Sequence, residues 1–254
     1  MEATNELSLI KTAQEKFELA CKDAESLQIV NNFGAAFTAV NVIALLREAL
    51  TDEVMNKVFM PLMNTKVGFL TDRPQKDKTT GRILKPAYDV AVVRDAIIDG
   101  VSIGLLPTGN QMNIIAERMY PTKEGYTHLL RKLGVKYILD ISYDKGQNPN
   151  FAEIPVKISY EYNGEKNSFT VVTTVKKDSY SSLDLLRGKA ERRAKKALYE
   201  YITGCDFGDA DEFSSYEDLT PRATTQQVVN QPEPEKEQLT GQPEISRSQK
   251  TIKL

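Results

Sequence analysis

Four cations near the carboxyl end of the sequence are the side chains best placed to bind a negatively charged ligand. They are Lys189, Arg192, Arg193 and Lys196, which recur at i, i+3, i+4 and i+7 within residues 182–203. In a helix of 3.6 residues per turn, this spacing predicts one outward strip of positive charge about two turns long. Cations on a rigid helix can contact successive phosphates of a nucleic-acid strand without a large ordering cost. The alternative is the ordinary solvated face of a surface helix.

An apolar stripe on the other side of the same segment is what would position these cations. Its members are Leu186, Ala190, Ala194, Ala197 and Tyr201. The spacing predicts a long amphipathic helix that packs its apolar side on the body of the protein and turns its charges to solvent.

Further cations and one aromatic residue extend this candidate surface. The cations are Arg82, in a basic loop or short hairpin at residues 71–86, and Lys123, Arg131 and Lys132, which flank a helix after Pro121. Tyr126 lies among them, and an aromatic ring between cations can stack on a nucleobase. The alternative for Tyr126 is a core position whose hydroxyl reaches water.

The chain lacks the characteristic residues of most enzyme classes. The single histidine, His128, excludes an HExxH site, and neither GxxxxGK[ST] nor GxGxxG occurs, so the phosphate cradles for ATP hydrolysis and dinucleotide binding are missing. A magnesium-dependent nuclease remains the enzymatic alternative, with Asp140, Asp144 and Glu153 as metal ligands. However, no acid in the chain is followed two residues later by lysine, as in a common nuclease signature.

The charge divides the chain into unlike parts. Its net charge is −2, but residues 205–254 hold ten acids against five bases, which leaves the body at +3. We expect a helical lobe at 1–70, an α+β core at 71–204 and a disordered acidic tail at 205–254. The two cysteines lack CxxC spacing, the amino terminus has no signal-like apolar run, and no stretch has membrane-spanning length, so we expect a cytoplasmic protein without a membrane segment.

The apolar periodicity and turn residues predict an α+β fold. We expect a helical amino-terminal lobe, a small antiparallel sheet packed with helices, and a long basic helix that closes the body. The predicted elements are helices at 6–29, 36–46, 90–101 and 122–133, strands at 111–120 and 135–143, and a hairpin around Asn163-Gly164.

Residues 88–140 resemble the RecT and Red beta single-strand annealing proteins of phages and prophages. The family's pattern is a helix ending in a Gly-Leu-x-Pro turn, an apolar strand, and a Gly-aromatic pair before a short helix that ends in glycine. Here the pattern is carried by Gly104, Leu105 and Pro107, by residues 111–115, and by Gly125, Tyr126, Leu129 and Gly134. The next strand and the basic helix follow in the family's order, so the resemblance covers roughly residues 88–203.

The resemblance implies a protein that anneals complementary single strands of DNA without ATP, as a ring or helical filament, during phage homologous recombination. It implies no catalytic residue, metal or cofactor, and partners that include the annealed duplex, a 5′ to 3′ exonuclease and the host's single-strand binding protein. We expect the four helix cations to be the principal phosphate contacts, so charge reversal at Arg192 and Arg193 should abolish annealing and leave the fold intact. The non-enzymatic alternative is an adaptor whose basic helix binds an acidic protein partner.

Overall fold

The computed structural model describes residues 2–27, 33–77, 79–142, 150–177, 182–206 and 228–229. Within these residues the chain is an α+β protein whose helices and small antiparallel sheets follow the predicted order. The expected disordered tail lies outside the described residues, apart from 205–206 and 228–229. No helix in the described ranges has the length and apolar character needed to cross a bilayer.

The helices fall close to the periodic segments of the sequence. They are α1 (Glu2–Leu27), α2 (Phe33–Ala49), the short α3 (Asp52–Val54) with its continuation through Met55–Phe59 and Met60–Leu62, α4 (Val90–Ser102), α5 (Lys123–Lys132) and α6 (Leu183–Thr203). Side chains cap four of them at positions where the sequence places a short polar residue: Thr51 for α3, Asp89 for α4, Thr122 for α5 and Ser182 for α6. The predicted helix boundaries at 90, 122 and 134 are thus confirmed.

The strands form three antiparallel sheets. β1 (Gln75–Lys76) pairs with β2 (Ile83–Lys85), and β3 (Met112–Ile115) pairs with β4 (Arg118–Pro121). The largest sheet has the order β5 (Lys136–Ile141), β6 (Phe151–Tyr162), β7 (Glu165–Lys176) and β8 (Val228–Val229). The β6–β7 turn is the predicted Asn163-Gly164, and both residues have positive φ, as this tight hairpin requires.

One predicted strand is wrong. Residues 111–120 do not form a continuous strand, because the chain reverses at Ala116 and Glu117 and pairs Met112 with Pro121. Both turn residues have positive φ, a conformation that Asn and Gly adopt more readily than Ala and Glu. The sequence therefore lacks the usual sign of this hairpin.

The core is a contiguous cluster of buried apolar side chains that includes residues of α1 and α2 as well as of the 71–204 segment. Alternate residues of β6 point into it, from Ala152 to Tyr160, and α6 packs across this face of the sheet. On its other side α6 contacts α5, so it lies between the sheet and a helix. This central position decides what its cations can do.

Candidate nucleic-acid interface

The environment of Arg192 differs most from the expected outward strip. Its side chain is buried, with 6% of the residue exposed, and its guanidinium lies 4.6 Å from the centroid of the Tyr120 ring. An arginine over an aromatic face is stabilised by the ring quadrupole, and more so away from water. Arg192 therefore joins α6 to the end of β4.

Lys196, also 6% exposed, lies among carboxylates near the end of α6. Its ammonium nitrogen is 3.3 Å from Glu200 Oε1 and 3.1 Å from Asp206 Oδ1. Burial and a hydrogen bond to Asp206 raise the pKa of Glu200 to about 7, although the charge of Lys196 opposes the shift. The ammonium group of Lys196 is thus paired with carboxylates of its own chain.

The other two cations of the predicted strip are half-buried. Arg193 donates a hydrogen bond to the backbone carbonyl of Thr174, at the end of β7. Lys189 is partly exposed in the first half of α6. The contacts described above that hold α6 in place are made by the other three cations.

Lys123 and Lys195 share the carboxylate of Glu191. Lys195 Nζ lies 2.6 Å from Glu191 Oε1 and donates to the Thr127 hydroxyl at 2.9 Å, and Lys123 Nζ lies 3.6 Å from Glu191 Oε2. Burial alone would raise the pKa of Glu191, but the hydrogen bond and charge of Lys195, with Lys123, hold it below its ordinary value. These contacts join the first turns of α5 to the middle of α6.

The predicted outward strip is therefore wrong for Arg192 and Lys196. The i, i+3, i+4, i+7 spacing does place the four cations on one side of α6, but α5, β4 and the end of β7 cover much of that side. Reversing charge at Arg192 would bury a carboxylate, so from the structure we expect this change to destabilise the fold, contrary to the expectation from the sequence.

Tyr126 is inaccessible to a nucleobase. It is 1% exposed, and its ring packs against Tyr199 with the centroids 6.1 Å apart. It lies one residue after Gly125 on the buried side of α5, with Leu129 and Leu130. Tyr126 is therefore a core residue, as the alternative held, but its hydroxyl is buried and does not reach water as that alternative expected, and a stacking role is wrong.

Three sequence-predicted cations remain on the surface. Arg82 is exposed on the β1–β2 hairpin, and Arg131 and Lys132 are exposed in the last turn of α5. Lys123 is half-exposed beside Glu124 and Glu191. Because α5 and α6 run parallel, Lys123 lies level with Glu191, whereas Arg131 and Lys132 lie toward the opposite end of α5.

The two acids of the nuclease hypothesis that the structure describes, Asp140 and Glu153, do not lie together. Asp140 of β5 pairs in register with Lys157, which is four residues from Glu153 along β6, so roughly 13 Å of strand separates the two acids. Asp144 lies outside the described residues. In the described ranges, no group of three or more His, Cys, Asp or Glu residues could hold a metal ion.

Three glycines that carry the family resemblance occupy positions where the backbone favours or requires glycine. A Cβ on Gly125 would lie 2.1 Å from the carbonyl oxygen of Gln111, so only glycine allows α5 to approach β3 this closely. Gly104 and Gly134 adopt positive φ just after α4 and α5, where such residues end helices. After Gly134, the Val135 N–H bonds the Leu130 carbonyl at 3.0 Å. The motif thus specifies the framework of the fold.

The β1–β2 hairpin presents two aliphatic residues, Ile83 and Leu84, that the sequence pattern did not identify. Ile83 and Leu84 are consecutive aliphatic side chains, yet they are 57% and 61% exposed. Lys85 follows them and Lys76 lies opposite Ile83 in the register, and both cations are exposed. The run Arg-Ile-Leu-Lys directly after Gly81 could have indicated the exposure of Ile83 and Leu84. Aliphatic residues that lie between cations in a short hairpin have few apolar neighbours to pack against.

Comparison of the chain with protein-family models, with curated proteins and with solved structures finds no match.

Proposed function

We propose that this chain binds single-stranded DNA and anneals complementary strands without ATP, as an oligomer or filament in phage homologous recombination. The observation that carries the proposal is the segment that resembles RecT and Red beta proteins. It folds as the uninterrupted series α4, glycine turn, β3–β4 hairpin, α5 and β5, and its motif glycines fill positions of close approach or positive φ. Three motif glycines that each meet a backbone requirement support a shared framework.

The charge of the core supports a polyanionic partner. Residues 71–204 carry 22 Lys and Arg against 16 Asp and Glu, a net charge of +6, although the whole chain is at −2. Some of that charge is internal, as Arg192 and Lys196 show, but Arg82, Arg131 and Lys132 are exposed. Exposed cations can displace the counterions of a nucleic-acid strand, which favours binding at low salt.

The contacts proposed here differ from those expected from the sequence. Arg82, Arg131, Lys132 and Lys189 contact phosphates, whereas Arg192 and Lys196 hold α6 in place. A protein that grips phosphates through such contacts leaves the base edges open to an incoming complementary strand, and several copies along one strand raise the effective concentration of weak sites. No bond is made or broken in this process, so it needs no catalytic residue.

The setting of this activity follows from the resemblance. We include in the proposal the bacterial cytoplasm, a 5′ to 3′ exonuclease that exposes single strands, and the host's single-strand binding protein as partners.

Binding to a fluorescein-labelled oligonucleotide across a salt series tests the proposal. The affinity of the wild-type chain should fall steeply with salt, and Arg131→Ala should reduce the slope of log K against log salt by about 0.7, the share of one phosphate on a single strand. Lys11→Ala, which removes an exposed cation from α1, is the matched control and should leave the slope unchanged. A wild-type chain without measurable affinity at low salt would refute the proposal.

A further inference from the structure

The hairpin formed by residues 75–85, called the arm below, stands off the body of the protein. All three residues of β2 are exposed, although side chains of a strand alternate between its two faces. A strand that packed on the body would bury one face, so β2 is open on both faces, and only Gln75, at the base of β1, is half-buried among the strand residues of the arm. Ile83 and Leu84 nevertheless place two large aliphatic side chains there.

The geometry of the arm sets Leu84 apart. In the register Gln75 faces Lys85 and Lys76 faces Ile83, so Leu84 has no partner on β1 and forms a β-bulge. Bulges re-aim a side chain and strengthen the local twist, and they recur beside functional sites. Because Leu84 is exposed at this bulge, its side chain adds little to the stability of the fold.

The root of the arm is firmly held. The Tyr88 hydroxyl donates to Asp72 Oδ1 at 2.6 Å and accepts from the Glu117 N–H at 3.0 Å. The Arg73 guanidinium lies 4.6 Å from the Tyr88 ring centroid and 3.1 Å from Glu117 Oε1. Just before the arm, the Asp72 N–H bonds the Ile114 carbonyl at 3.2 Å. The arm therefore projects from a fixed base beside the β3–β4 turn.

The charge of the arm fits a polyanion. Residues 75–85 contain four cations and a single acid, Asp77. Asp77 Oδ1 accepts hydrogen bonds from the N–H groups of Thr79 and Thr80, which hold its pKa below the ordinary value. Asp77 thus takes part in the hydrogen bonds of the turn, whereas Lys76, Arg82 and Lys85 are exposed next to the two aliphatic residues.

We infer that the arm binds double-stranded DNA, the product of annealing, by inserting Ile83 or Leu84 between base pairs while its cations hold the flanking phosphates. Exposed aliphatic side chains that enter a groove and part a base step are an established means of gripping a duplex. The cations favour DNA over a second copy of the chain as the partner, because an apolar protein surface would not be complementary to positive charges on both sides of Ile83 and Leu84. The inference deepens the proposed function, on which its role in annealing rests.

The test compares Ile83→Ser/Leu84→Ser with Ile138→Ser, which removes a 72% exposed aliphatic residue from β5. Each full-length protein is titrated into a labelled single strand and into the corresponding duplex with 2-aminopurine at a central step. Wild type and Ile138→Ser should increase the 2-aminopurine fluorescence of the duplex, which reports unstacking. The arm variant should lose that increase and bind the duplex at least about tenfold more weakly, with single-strand affinity within about twofold of wild type.

Thermal unfolding should be the same for all three proteins, because the replaced side chains are exposed. Unchanged duplex affinity and fluorescence in the arm variant would overturn the inference and leave single-strand annealing standing. If duplex binding depends on the arm but the protein does not bind single strands, the inference about the arm stands and the proposed single-strand annealing is refuted. A change in oligomer size with duplex affinity intact would also overturn it, because the arm would then be a contact between copies.

Discussion

The close approach of α5 to β3 yields the sharpest structural prediction. A Cβ added at Gly125 would lie 2.1 Å from the Gln111 carbonyl oxygen and 3.2 Å from a methyl carbon of Leu105. Real Cβ atoms keep at least about 3 Å from such an oxygen, so Gly125→Ala must push α5 or β3 by roughly 1 Å. Neither can move easily, because the Thr122 N–H bonds the same Gln111 carbonyl at 3.1 Å and Leu105 is fully buried.

Overpacking of this kind costs about 1 to 3 kcal/mol, and here the clash is with backbone, so we expect Gly125→Ala to lose at least about 2 kcal/mol of unfolding free energy. Gly188→Ala is the matched control. Gly188 lies within α6, and a Cβ there would meet nothing within 4 Å. Alanine is the better helix former, so this change should add about 0.5 to 1 kcal/mol.

Urea unfolding followed by circular dichroism measures both values, and the two variants should move the midpoint in opposite directions. For a protein of this size the Gly125→Ala loss corresponds to roughly 4 to 8 °C in Tm. Equal stability of Gly125→Ala and wild type would refute the argument that the Gly-aromatic pair exists to admit a backbone contact. A stabilised Gly125→Ala together with a destabilised Gly188→Ala would contradict the packing described for α5 and α6.

Other changes test the charged groups. Glu200→Gln should raise the unfolding free energy by at most about 3 kcal/mol at pH 8, because the folded-state pKa of about 7 makes the ionised carboxyl costly in the folded protein. This gain should vanish below about pH 4.5, where the carboxyl is protonated in both the folded and the unfolded state. Urea titrations at several pH values measure the difference. Arg192→Glu should cost at least about 3 kcal/mol in the same assay, because it buries a carboxylate against Tyr120. Arg82→Glu, on the exposed hairpin, should stay within about 0.5 kcal/mol of wild type and yet weaken oligonucleotide binding in fluorescence anisotropy; unaltered binding would remove Arg82 from the interface.

Local chemistry made most of the elements predictable. The capping residues Asp89, Thr122 and Ser182 and the helix-ending Gly134 fixed helix boundaries within a residue or two, and Asn163-Gly164 fixed a hairpin. These signals act between residues close in sequence, so they can be read without the fold. The β3–β4 turn was missed because Ala116 and Glu117 carry no comparable signal.

The exposure of α6 could not be read in the same way. Spacing places Arg192 and Lys196 on a definite side of a helix, but what covers that side depends on Tyr120, which is remote in sequence, and on Asp206, beyond the end of the helix. A helix packed on two sides uses cations to satisfy buried carboxylates and aromatic faces, and its sequence resembles that of a basic surface helix. Lys189, near the less buried beginning of α6, is the cation for which the sequence reading and the structure agree best.

Strand annealing itself is tested by the rate at which two complementary oligonucleotides anneal, measured by fluorescence quenching in EDTA and without nucleotide. We expect the wild-type chain to accelerate annealing at low salt and added salt to suppress the effect. We also expect Arg82→Glu/Arg131→Glu to slow annealing while the protein stays folded. Annealing no faster than that of the free strands, by a folded protein at low salt, would contradict the proposed function.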